Sequence, residues 1–136
     1  MGCDIHLNQE IKVRGKWLHY SRPSVERDYT LFALMGNVRN HDNLPSLSNK
    51  RGVPPDATDM TKLDAEFWGV DGHSHSWLNR EEILRLRRLY VRYALPEEGD
   101  SFFLSDIFGY LFGNDWDYNP PDMGLEDVRW IFWFDN

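Results

Sequence analysis

The sequence predicts a single α+β domain: a mixed or antiparallel sheet containing both the N-terminal and the C-terminal strand, packed by two or more helices. Three observations predict it. Residues 3–13 alternate, with Ile5, Leu7, Ile11 and Val13 on one side and Asp4, His6, Asn8, Glu10 and Lys12 on the other, as in a half-buried strand. Asn79 and Glu82 form a capping box ahead of Ile83, Leu84, Leu86, Leu89, Tyr90 and Tyr93, which marks the clearest helix of the chain. Val128 to Phe134 is apolar on both faces, as expected of an interior strand beside the first one.

The remaining elements follow in order. Arg14-Gly15 is a turn, and Lys16 to Tyr20 returns as a partner strand, because glycine adopts positive φ without steric cost. Asp28 caps a short buried helix from Tyr29 to Met35, ended by Gly36 or Asn37. Residues 39–59 lack periodicity and read as a long loop able to cover a site. Thr61 to Trp68 is helical and closed by Gly69, and Val70 to Trp77 is a short extended or turn segment. Pro96 stops the long helix. A second apolar helix capped at Ser105-Asp106 runs over Ile107 to Phe112, followed by a turn-rich connection from Asp115 to Gly124.

Composition narrows the function. One domain over residues 1–136 is long enough to bury a core, and 41% hydrophobic with 15% aromatic residues argues against disorder. A net charge of −7 repels a phosphate backbone, so duplex nucleic acid is not an expected partner. The lone Cys3 excludes a disulfide framework, and no apolar run reaches bilayer length, so the expectation is a cytoplasmic chain with no membrane partner.

The candidate chemistry lies in two segments. Asp4 and His6, two apart on a strand, project to the same side. His73 and His75 would do the same if their segment is extended, and Asp71 precedes a glycine that permits close approach. Imidazole with carboxylate suits zinc, manganese or iron, so Asp4, His6, His73 and His75 are candidate metal ligands, and a metal-bound water would supply a nucleophile. His73, His75 and Asp71 are equally candidates for proton transfer without metal, or for ordinary turn-forming hydrogen bonds. Cys3 is a weak candidate nucleophile, since neighbours on a strand point to opposite faces. Arg39, Asn40 and Arg88 are candidate phosphate contacts; Arg88 lies with Arg85 and Arg92 on one helix face, a pattern equally expected of a solvated surface. Trp77, with Trp68, Trp116 and Tyr118, lies in or beside turns where a base could stack, although most aromatic residues belong to the core.

The opening Met1-Gly2-Cys3-Asp4-Ile5-His6, the central Trp68-Gly69-Val70-Asp71-Gly72-His73-Ser74-His75-Ser76-Trp77-Leu78 and the closing Val128 to Asn136 resemble the landmarks of a small protein family common in bacteriophage and prophage genomes. Arg27 to Phe32 with Val38-Arg39-Asn40 resembles its second block. The family generally carries no assigned activity, so the resemblance implies a phage origin and no catalytic residues. By analogy of setting, it implies an accessory protein that counteracts host defence. The expectation is metal-assisted hydrolysis of a small, cyclic nucleotide signal, with a non-catalytic protein that sequesters a nucleotide or inhibits a host defence protein as the alternative. A binder of symmetric nucleotides would gain from being a homodimer.

Overall fold

The computed structural model describes residues 2–94 and 125–136. Strand β1 (Asp4–Val13) and strand β2 (Lys16–Ser21) form a hairpin; helix α1 (Tyr29–Gly36), helix α2 (Asp59–Trp68), strand β3 (Gly72–Asn79), helix α3 (Arg80–Tyr93) and strand β4 (Leu125–Asp135) follow. The strands lie in the order β2-β1-β4-β3, all antiparallel, so the N-terminal and C-terminal strands are the two central ones. Their central place explains why β4 is apolar on both sides: it is paired along both edges and covered on both faces. The expected helix over 107–112, the stop at Pro96 and the turn at 115–124 lie outside the described residues.

On the first face of the sheet, Ile5, Leu7 and Ile11 of β1 join Val128, Trp130, Phe132 and Phe134 of β4 and Leu78 of β3 in one core cluster with α1 and α3. Each such side chain removed from water contributes about 1.5–3 kcal/mol. Helix α1 starts where the Asp28 side chain accepts from the Leu31 N–H and ends at Asn37, whose φ of 60° satisfies the last carbonyls. It approaches β4 closely at Gly36, where a Cβ would stand 3.0 Å from the Phe132 ring. Helix α3 carries the capping box at Asn79 and Glu82 and buries Ile83, Leu86 and Tyr90. Gln9, the polar residue on this face of β1, accepts from Trp130 Nε1 at 2.9 Å and donates to Ser21 Oγ at 2.7 Å, which makes it tolerable in the core.

The second face corrects the expectation of a half-buried first strand. Asn8 and Glu10 are both 0% exposed. Helix α2 and residues 48–58 cover them, so this stretch of the long loop acts as a cover. Ser48 Oγ donates to the Met35 carbonyl, Ser76 Oγ donates to Ser48, and Arg51 forms a two-point ion pair with Glu82, which pins the cover to both layers. Thr58 caps α2 through its side chain, which is why the helix begins at Asp59, two residues before the expected start. Its buried residue is Thr61, which meets Glu10 of β1, while Ala65 and Trp68 on the same inward side pack against Ile131 and Trp133.

Candidate functional site

The register brings the two candidate segments to one end of the sheet. Asp4 at the start of β1 pairs with Asp135 at the end of β4, and Asp135 pairs with Gly72 at the start of β3. Strand β4 lies between them. His6 stands opposite Trp133, and the Trp133 indole fills the space toward His75, whose ring stacks on it with centroids 5.5 Å apart. Adjacent strands are about 4.8 Å apart, so β1 and β3 lie roughly 10 Å apart, and the Trp133 indole stands between the imidazoles of His6 and His75 rooted on them.

The expectation that His73 and His75 project together is not met. A bulge falls between His73 and Ser76, with Ser74 in the left-handed region at φ 56°. The inserted residue resets the alternation. His73 pairs with Phe134 and lies on the first face, bonded to Ser74 Oγ and Asn136 Oδ1, while His75 turns to the second face. Asp4 is held by two bonds from Arg27, at 2.7 and 3.2 Å. Among the described residues no three His, Cys, Asp or Glu side chains come together as a metal-binding group.

The other candidates separate. Asp71 is exposed at the end of a short 3-10 turn, Gly69–Asp71. Trp77 lies on the second face beneath the Arg51 guanidinium, 4.7 Å from its ring centre. Arg39 sits over the Tyr29 ring at 5.3 Å, and Asn40 closes a turn by bonding Asn37 and both backbone groups of Leu44. Arg88 is on the solvent side of α3, and α3 packs on the first face, across the sheet from His6.

What the fold builds around His6 is a cleft of about 690 Å³ between β1, residues 22–25 and α2. His6 Nε2 is 2.6 Å from Asp135 Oδ2, and its ring stacks on Trp68 with centroids 3.9 Å apart. Asp64 in the cleft wall accepts from Asn8 Nδ2 at 2.9 Å and from Arg22 Nη1 at 3.1 Å, and Asn8 Oδ1 is bonded to His19. Phe67 stands edge-on to Trp68. Ile5 and Leu7 also line the cleft although their side chains are buried in the core, so they border it with backbone. That is possible because β2 pairs with β1 only from Gln9 to Val13. Sequence reasoning missed Arg22, Asp64, Phe67 and the partnership of Asp135. A terminal Asp after an apolar strand was the available signal, but only the β1–β4 register reveals its partner.

Chemically, a carboxylate fixing an imidazole in a partly buried cleft can hold a tautomer, donate to an anion or move a proton. Burial pushes the Cys3 thiol up, with Arg39 opposing, so this thiol is not poised as a nucleophile. The hydrogen bond from Arg27 holds the Asp4 carboxyl below its usual range. His75 is pushed down, first by burial and then by the His73 charge, and His19 is pushed down by burial.

A depressed folded-state histidine leaves the unfolded chain binding more protons below about pH 6.5, so stability falls as pH falls through that value. Thermal melts from pH 8 to 5 should show a declining midpoint, and the decline should shrink in His75→Gln. A midpoint that is flat across this window in the native chain would contradict the burial of both imidazoles.

Compared with known proteins, the chain matches no family model, no curated protein and no solved structure.

Proposed function

We propose that this chain is a non-catalytic nucleotide-binding protein that sequesters its ligand in the cleft around His6. The observation that carries the reading is the meeting, in one cleft, of His6, which Asp135 holds in place, with Arg22 and the rings of Trp68 and Phe67. Arginine matches phosphate oxygens, an imidazole whose Nε2 is bonded to a carboxylate turns Nδ1 to a ligand, and aromatic faces accept a base. The backbone of Ile5 and Leu7 offers donors and acceptors to a base edge. In the phage-infected cell that the resemblance implies, such a protein would withdraw a small nucleotide signal from host defence.

Calorimetric titration with mononucleotides and cyclic dinucleotides tests this. Binding should be weakened roughly 10–100-fold in Trp68→Ala, the scale of one lost stacking platform, and the ligand recovered after denaturation should be intact. No heat with any nucleotide would end the reading.

A hydrolytic reading rests on the same His6–Asp135 pair acting as a general base, and recovery of cleaved ligand that depends on His6 would favour it. The metal-assisted form of that reaction, drawn from Asp4, His6, His73 and His75, would require side chains on both flanks of Trp133 to converge. For that reason binding is the leading proposal.

A further inference from the structure

Helix α2 carries apolar residues on its outer side as well as on its inner one, where Ala65 and Trp68 pack against the Trp133 cluster. Its buried residue is Thr61, whose hydroxyl bonds the Glu10 carboxylate, while Met60, Leu63 and Phe67 are 51, 60 and 81% exposed and Val70 just beyond is fully exposed. Spacings of three and four residues place Met60, Leu63 and Phe67 on one side of the helix, and Val70 follows in the 3-10 turn after it. A contiguous apolar stripe of this kind on a folded surface marks an interaction site more often than isolated apolar residues do.

The charges beside the stripe indicate its occupant. A two-fold interface must be complementary to itself. When two copies of a helix pack antiparallel about a two-fold axis, the same flank of each faces the same flank of the other. Lys62 and Glu66 are both exposed, lie on one flank of the stripe, and form no ion pair with a described residue. An antiparallel register with Leu63 near the axis sets Met60 of one copy over Phe67 of the other. The same register sets Lys62 of each copy beside Glu66 of the other, giving two opposite-charge pairs. Met60, Leu63 and Phe67 also line the cleft, so the seam would form one wall of each of two clefts lying side by side about the axis.

We infer that α2 is the seam of a homodimer, formed by antiparallel packing of the Met60, Leu63, Phe67 and Val70 stripe against its copy, with Lys62 and Glu66 fixing the register. The seam shares Met60, Leu63 and Phe67 with the cleft, but its test reads association of the ligand-free chain and is separate from the test of binding. Sedimentation velocity on the full chain tests it, at concentrations up to roughly 100 µM, where a dimer of micromolar affinity is populated. The native chain should dimerise and Leu63→Asp should be monomeric throughout, with an unchanged circular dichroism spectrum and thermal midpoint. Lys62→Glu alone should weaken the dimer about tenfold, and Lys62→Glu with Glu66→Lys should restore it, because the swapped charges pair again across the seam. A native chain that stays monomeric overturns the inference. So does a dimer that survives Leu63→Asp, or a charge reversal that the double swap does not rescue.

Discussion

Replacing Glu10 by alanine is expected to cost about 3–5 kcal/mol of folding stability, the range for breaking a buried ion pair from one side. Glu10 is fully buried, and its carboxylate accepts from the Thr58 N–H at 2.9 Å, the Thr58 hydroxyl at 2.7 Å, the Thr61 hydroxyl at 2.6 Å and Arg129 Nε at 2.8 Å. Arg129 is itself buried, bonded to Asp56 and laid over the Trp17 ring at 4.0 Å. The alanine variant would leave this guanidinium buried without its most enclosed counter-charge. Burial alone would raise the Glu10 pKa, but the bonds from Thr61, Thr58 and Arg129 outweigh it and the group is lowered.

The folded carboxyl therefore resists protonation more than the unfolded one. The stability it contributes is complete above the ordinary glutamate value near 4.5 and is lost as pH falls through the lowered folded value. Urea unfolding of Glu10→Ala, Arg129→Ala and the double variant measures both the single costs and their coupling. The double variant should lose less than the sum, since no charge is then left alone. A single cost below about 1 kcal/mol, the level of an exposed pair, would refute the buried-network account.

Truncating Trp133 to alanine is the second large effect, about 3–5 kcal/mol for removing a buried tryptophan and leaving its volume empty. Trp133 is 0% exposed and packs with Ala57, Ile131, Val53, Ala65, Trp68 and Trp77 on the second face. It also stands between His6 and His75, so its loss should loosen the His6 ring and weaken ligand binding in the cleft as well. Trp133→Phe should behave differently. The indole Nε1 is buried and has no hydrogen-bond partner among the described residues, an arrangement that costs about 1–3 kcal/mol of desolvation. Phenylalanine removes that donor, and the gain offsets part of the lost packing, so its cost should be well under half that of alanine. Equal costs for the two variants in urea titrations would mean that the N–H is satisfied.

The sequence by itself determined the local elements and their class. The alternation of β1, the Arg14-Gly15 turn, the Asp28 cap and the Asn79–Glu82 box are short-range patterns whose physics is complete within a few residues, and the structure shows each of them. The two-sided apolarity of Val128 to Phe134 even placed its strand in the sheet interior beside β1, since only that position buries both faces.

Tertiary structure alone decided what the polar residues do. Spacing cannot show that Ser74 bulges, and one inserted residue sends His73 and His75 to opposite faces, undoing the pair that the H-x-H pattern promised. Nor can spacing show that the polar side of β1 is roofed by a helix, because Thr61 and Glu10 find each other across 51 residues. The His6–Asp135 contact joins residues 129 apart. Such pairings are set by strand register, and register is a property of the assembled sheet, fixed when the apolar sides of β1 and β4 bury together.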